Sequence, residues 1–290
     1  MAGLMGAMIL AGRSQQWKDS TLKRFLDEGR GQGEEDYKPW LKVSDISSKG
    51  RVTRLYSRKL NRTIHLLTDS QTRYFYLLEF DDRVVSVKEQ YPLLNIADIM
   101  DQLDESLVKR LKNRDGTPHV LVTTFLITAK DEKGQLRTYA RSIKDRTELE
   151  KKDTLERLEI QRRYYESLKM EYAIVTSEEI PYQRSRNIEW VLPALYIEDA
   201  GLTEQEVKYY STYIMEALRS KREPVRGILD AFERETKREK GLGLFLFRYL
   251  IASKQIEINL DQEINIIHTP EQMEVVVRES TGVGRDVRSG

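Results

Sequence analysis

Lys144 closes a strand-like run and stands two residues after Ser142, in the order Ser142-Ile143-Lys144. A lysine so placed, next to strands that carry carboxylates, is one layout for metal-assisted hydrolysis of a phosphate ester. Acidic oxygens hold Mg2+, and the ammonium stabilises developing charge or orients water. Here the preceding strand offers Thr123-Thr124 where an aspartate would stand, and the place before Lys144 holds a serine rather than an acid. On residue types alone the signal is weak, because a lysine after a strand is more often a solvated surface residue.

Other chemistries are excluded more firmly. The 290 residues contain no cysteine, which removes disulfide scaffolds, thiolate zinc sites, Fe–S clusters and cysteine nucleophiles. His65, His119 and His268 lie far apart, so a zinc site built from histidine is not expected. Gly29-Arg30-Gly31-Gln32-Gly33 is a cationic glycine loop, but no Gly-Lys-Ser/Thr follows it, so it is not a Walker loop. It reads equally as a phosphate-contacting loop or a connecting arm. The 48 Lys and Arg against 47 Asp and Glu exclude nucleic-acid binding by bulk charge and leave local basic patches open. An apolar content of 39% is enough to build a core.

The elements that must position these residues begin at Asp69. Asp69 and Ser70 can cap a helix running to about Phe80, and Val84, Val85 and Val87 read as a strand. Val120–Thr128 is a β-branched run fit for a buried strand, and Asp131-Glu132-Lys133-Gly134 turns it into Gln135–Ile143. A long helix follows over Thr147–Lys169, with Leu155, Leu158, Tyr165 and Leu168 as its apolar stripe, then a strand at Tyr172–Thr176. This order predicts an α/β fold, a small mixed sheet with helices on both faces. Pro181–Pro193 reads as a linker with an anchor at Asn187-Ile188-Glu189-Trp190. Thr203–Ser220 is a capped helix, followed by helices over Gly227–Lys240 and Leu242–Ala252. A hairpin of Lys254–Leu260 with Glu263–His268 would complete a winged-helix-like module. The apolar opening Met1–Gly12 has no basic n-region and reads as a frayed terminus or start-site extension. No apolar run reaches the roughly 18 residues that would span a bilayer, so no membrane partner and a cytoplasmic protein are expected.

The αβββαβ order is that of the PD-(D/E)xK nucleases, and the chain resembles the TnsA family. TnsA is the endonuclease subunit of transposons that also encode a TnsB transposase and a TnsC ATPase. The resemblance is carried by Glu28-Gly29-Arg30-Gly31-Gln32-Gly33, Asp36-Tyr37-Lys38-Pro39-Trp40-Leu41 and His65-Leu66-Leu67-Thr68-Asp69. It continues through Glu79, Glu89-Gln90-Tyr91-Pro92-Leu93-Leu94, Thr154-Leu155-Glu156, Arg162-Arg163-Tyr164 and Asn187-Ile188-Glu189-Trp190. It implies a flexible terminus over 1–24, a restriction-endonuclease-like PD-(D/E)xK domain over 25–180, a C-terminal winged-helix-like domain over 181–272 and an unstructured tail over 273–290. The implied partners are a TnsB-like transposase, a TnsC-like AAA+ ATPase and transposon-end DNA. The family's activity is cutting of the 5′ ends of the element.

The departures bear on the chemistry. The family's helix glutamate falls on Gln71, its metal-binding aspartate on Thr124, the polar residue before its lysine on Ser142, and a further acid on Gln161. Lys144 alone is kept as a catalytic residue. Neutral amides and hydroxyls bind Mg2+ poorly, so no cofactor is expected unless the site is active. The resemblance with these losses predicts a subunit that joins transposase, ATPase and DNA with 5′ cleavage lost or weakened. The alternative is an active Mg2+-dependent endonuclease with carboxylates relocated among Asp69, Glu79, Asp145 and Glu148. A plain DNA-binding regulator is disfavoured by the near-zero net charge. Arg30, Lys38, Arg184 and Arg186 are the expected DNA contacts. Residues 219–240 hold eight basic against five acidic side chains, which is enough for a few phosphate contacts or for a solvated helix face.

Overall fold

The computed structural model describes residues 20–46, 51–113, 116, 118–220 and 222–278. The opening Met1–Gly12 and the last residues of the expected tail lie outside them. The chain divides into two compact units, one ending at Ile180 and one starting at Pro181.

The first unit contains, in order, α1 (Ser20–Asp27), β1 (Thr53–Ser57), β2 (Arg62–Leu66), α2 (Asp69–Phe80), β3 (Val84–Pro92), α3 (Glu105–Val108), β4 (Val122–Lys130), β5 (Leu136–Lys144), α4 (Arg146–Leu149), α5 (Lys152–Ser167) and β6 (Glu171–Thr176). The sheet order is β3-β4-β5-β6. The first two pairings are antiparallel and β5–β6 is parallel, which gives the mixed sheet the sequence predicts and fits a restriction-endonuclease-like core. Side chains alternate across the pleat of β4. Phe125 and Ile127 pack with Phe75 and Leu78 of α2. Leu126 packs on the opposite face with Ile160, Tyr164 and Tyr165 of α5. Each face of the sheet is therefore covered by one long helix.

Several expectations change. The helix predicted over 147–169 breaks at Glu150-Lys151 into α4 and α5. Leu155 and Leu168 of its expected stripe are exposed, while Leu158 and Tyr165 are buried. The expected flexible terminus is ordered from Ser20, because Leu22 and Phe25 of α1 bury against Trp40. The β1–β2 hairpin has no counterpart in the sequence reading. Its polar residues Arg62 and His65 conceal the strand pattern around Ile64 and Leu66, which are fully buried. The Arg62 side chain and the backbone of His65 meet at Glu89 of β3, whose side chain is itself fully buried. Arg62 donates to both carboxylate oxygens, at 3.0 and 2.6 Å, and the His65 amide donates at 3.1 Å.

The second unit contains α6 (Tyr182–Val191), α7 (Glu204–Arg219), α8 (Val225–Thr236), α9 (Leu242–Ala252), β7 (Ile256–Glu257) and β8 (Val276–Val277). The expected linker is thus the helix α6. Thr203 and Glu206 form the capping box that starts α7. α9 is apolar on nearly every side and buries Leu246, Phe247 and Leu250 completely, which makes it the central helix of this unit. The winged-helix hairpin does not form as expected. β7 pairs with β8 instead, so the expected unstructured tail is ordered through Arg278. Residues 263–268 form no strand. The Ile266 and His268 carbonyls accept from the Arg226 and Val225 amides at 2.7 and 2.9 Å. These are orphan donors of the first turn of α8, and capping them takes precedence over pairing with β7. Among the described residues, no helix is long and apolar enough to cross a membrane.

Two predictions follow from the Glu89 cluster. Glu89→Gln leaves the Arg62 guanidinium buried without its counter-charge, and should cost about 3–5 kcal/mol in urea unfolding. The His65 Nδ1 accepts from the Val43 amide at 3.3 Å, so the ring must be neutral there. Burial lowers the His65 pKa below 6.5, Lys42 and Arg54 add to this, and Glu89 partly opposes it. The unfolded chain then binds the proton more readily. The stability difference between wild type and His65→Asn should be full above pH 6.5 and shrink below it.

Candidate active site at the end of the central sheet

β3 and β5 finish, and β4 begins, at one end of the sheet: Pro92 pairs with Val122, and Lys144 is the last residue of β5. Thr123, Thr124, Ser142 and Lys144 all lie there. The β4–β5 ladder stops at Phe125↔Arg141. Beyond it the Thr124 hydroxyl takes the place of a strand carbonyl and accepts from the Ile143 amide at 3.0 Å. The oxygen expected to replace a metal-binding carboxylate is therefore part of the strand pairing.

Gln161 projects from α5 over the β5 face that carries Ser142. Its Oε1 accepts from the Thr123 and Ser142 hydroxyls, each at 2.9 Å. The Tyr165 hydroxyl donates to Thr123 at 2.9 Å, which directs the threonine proton toward Gln161. Burial pushes the Tyr165 phenol far above its ordinary range despite the Thr123 contact, so it remains an O–H donor. Gln71 comes from the first turn of α2, fixed by its own amide donating to the Thr68 hydroxyl at 3.2 Å. Its Oε1 accepts from the Leu67 amide and from Gln90 Nε2, both at 2.9 Å. Gln90 has φ 50, a left-handed kink in β3 between the paired residues Glu89 and Tyr91.

Lys144 is partly exposed, and its Nζ is 3.2 Å from Glu148 Oε1. Glu148 also accepts from the Asp145 amide at 3.2 Å, and Asp145 accepts from the Ser70 hydroxyl at 2.9 Å. The other two acids weighed as replacements lie elsewhere. Glu79 accepts from Ser57 of β1 at 2.7 Å, and Asp69 is an exposed first-turn acid of α2. Among the described residues, no group of three or more acids and histidines comes together.

The expected DNA contacts fare differently. Arg30 is only 4% exposed, so it is a structural residue rather than a surface cation. It ion-pairs with Asp45, donates to Glu28 at 2.7 Å and to the Trp40 carbonyl at 3.0 Å, and lies 3.8 Å from the Phe25 ring centroid. Its loop is strapped to the end of β3. Gly31 has φ +74, and a Cβ there would fall 2.2 Å from Pro92 Cγ. The Tyr37 hydroxyl donates to the Glu89 carbonyl at 2.9 Å, and the Trp40 amide to the Gln90 carbonyl at 3.2 Å. Lys38 remains exposed. In the second unit, Arg184 is held by both oxygens of Asp261 at 2.8 and 2.6 Å, and Arg186 is exposed over the Tyr182 ring. The basic run after Arg219 is interleaved with acids: Arg219 pairs with Glu216, Arg226 with Asp230 and Arg238 with Glu206. Lys221 lies outside the described residues.

The sequence reading named Thr123 with Thr124 at this end of the sheet but did not place Gln90 or Tyr165 there. A kink at Gln90 and a tyrosine reaching across from α5 leave no mark in residue spacing.

Comparison with known proteins finds one family along both units. Residues 81–177 match the family model described as TnsA-like endonuclease N terminal, and residues 179–260 match TnsA endonuclease C terminal. The two matches meet where the two compact units divide. The chain is also 36% identical over 183 residues to the Transposon Tn7 transposition protein TnsA of Escherichia coli, which is 63% of this chain. The aligned stretch spans 66% of that relative's length. With a family model on each unit, together matching more than half of the sequence, the chain belongs to the TnsA-like endonuclease family.

Proposed function

We propose that this protein is a transposition subunit of the TnsA type that binds transposon-end DNA, a TnsB-like transposase and a TnsC-like ATPase, and whose own 5′-strand cleavage is lost or severely weakened. The observation that carries the reading is the donor set at the sheet end. Mg2+ requires hard, mostly anionic oxygen at near-octahedral geometry. Thr124, Ser142, Gln71 and Gln161 supply none, and the two amide oxygens each already accept two hydrogen bonds. These residues do not fit a catalytic dication. Without one, Lys144 has no activated water to orient. The bridging role rests on the match of both family models across both units. The winged-helix-like description of the second unit belongs to the same proposal, since helices and a short ribbon are present without the expected hairpin. Relocated ligands would have to come from Asp145 and Glu148, which already bond Ser70 and Lys144.

Two outcomes test this. With 5′ cutting absent and no other nuclease present, transposition should yield cointegrates, and sequencing of insertion junctions that finds simple insertions would contradict the reading. In thermal unfolding, wild type should show no stabilisation by millimolar Mg2+ or Mn2+. A Gln71→Glu/Thr124→Asp variant should gain a metal-dependent rise in Tm, as binding to the native state alone requires.

A further inference from the structure

We infer that the outward face of the β1–β2 ribbon is a contact surface for the phosphate backbone of duplex DNA, with Arg54 and Arg51 as its cations. The inference deepens the proposed function, since it rests on the reading that this chain binds DNA and names a surface that does so.

From Ile46 to Thr68 the sequence holds six basic residues, Lys49, Arg51, Arg54, Arg58, Lys59 and Arg62, and no Asp or Glu. In a chain whose net charge is +1, that is a local concentration of positive charge. Alternation along the strands sorts these side chains by face. The inner face carries Leu55, Ile64 and Leu66, which pack with Phe75 and Leu78 of α2. Its polar groups have structural partners. Arg62 holds Glu89, and Ser57 donates to Glu79 at 2.7 Å. From the turn, Lys59 Nζ donates to the Leu78 and Asp81 carbonyls at the end of α2, at 3.0 and 2.7 Å. These contacts anchor the ribbon, so its outer face is presented without an ordering cost on binding.

The outer face pairs Arg54 with His65 and Tyr56 with Thr63 across the two strands. Arg54, Tyr56 and Thr63 are exposed, and the Tyr56 hydroxyl bonds the Asn61 side chain at the turn. Arg51 is exposed just before β1. Among the described residues neither Arg51 nor Arg54 pairs with an acid. The charges of Lys42 and Arg54 both bear on the His65 ring, so the positive field continues onto the neighbouring loop. Asp45, which also acts on that ring, is held by Arg30. Glu34 and Glu35 lie with Lys59, Asn61 and Arg62 around a pocket bordered by Val85–Val87 of β3, and Glu34 pairs with Lys88. The outer face is thus left cationic, with hydroxyl and amide groups beside its arginine. Arginine meets phosphate oxygens bidentately, and the polar neighbours add uncharged contacts to the same backbone. A two-stranded ribbon is of a size that the roughly 12 Å major groove of a duplex admits.

The test is fluorescence anisotropy of the full chain with a fluorescein-labelled duplex of element-end sequence, in EDTA, across a KCl series. Arg54→Glu should bind about tenfold more weakly than wild type. Arg54→Ala should lower the slope of log affinity against log salt by about one, and Arg51→Ala/Arg54→Ala by about two. Both side chains are exposed, so the variants should fold. Lys133→Glu makes the same charge change at the exposed β4–β5 turn and should bind as wild type. Ribbon variants that bind as wild type, no binding by wild type, or a loss in Lys133→Glu equal to that in Arg54→Glu would overturn the inference. Displacement of the duplex by polyglutamate as effectively as by unlabelled duplex would assign the face to an acidic protein and also overturn it. The proposed function is read separately, from capture of the wild-type chain on immobilised element-end DNA carrying the transposase and ATPase. Failure of that capture would overturn the proposed function. Capture there, with duplex binding that the ribbon variants leave unchanged, would overturn this inference alone.

Discussion

A carbonyl oxygen that accepts two hydrogen bonds has no lone pair left for a metal ion, and Gln71 and Gln161 at the end of the central sheet are both in that condition. The constraint is local but fixes the surrounding chemistry. Gln161 gathers Thr123, Ser142 and, through Thr123, Tyr165 into one neutral hydrogen-bonded cluster. Gln71 ties the start of α2 to the kink at Gln90. Glu89, a fully buried carboxylate of β3, serves structure in the same way, since Arg62 and the His65 amide occupy both its oxygens.

The same economy runs through the segment before the sheet. The glycine loop and the aromatic residues after it hold the end of β3, with Gly31 against Pro92 and Tyr37 and Trp40 bonded to the strand backbone. Arg30 is the internal brace of that loop. These motifs support the fold of the sheet end through contacts of their own.

Much of this was legible in the sequence and some was not. The β-branched run around Phe125, the turn at Asp131–Gly134 and the capped helix from Thr203 each carry a strong local pattern, and each forms close to its expected place. The order of elements was enough to give a mixed sheet. The β1–β2 hairpin was hidden because the Arg62 side chain answers to Glu89 and the His65 ring to the Val43 amide, both more than twenty positions away. The segment around Arg184 read as a linker because Pro181 and Pro193 bracket it. Yet Pro181 stands just before the first residue of α6 and Pro193 just beyond its end, which are places a helix tolerates. Burial of Arg30 could not be read from a glycine-rich, polar stretch. Two of the site positions, Gln71 and Gln161, came from family resemblance alone, while Thr124 and Ser142 were also marked by their places on the strands. The hydrogen bonds that each of them makes were not visible in spacing, because they depend on how α2 and α5 approach opposite faces of one sheet.

The most direct measurement is strand-resolved cleavage of element-end DNA by the reconstituted transposition proteins, in Mg2+ and in Mn2+, comparing wild type with Lys144→Ala. The account predicts no 5′ cutting with either protein, and 3′ strand joining that still requires this subunit. Cutting of 5′ ends by wild type that disappears in Lys144→Ala would contradict it, and would mean that a metal finds oxygen ligands at the end of β5 after all.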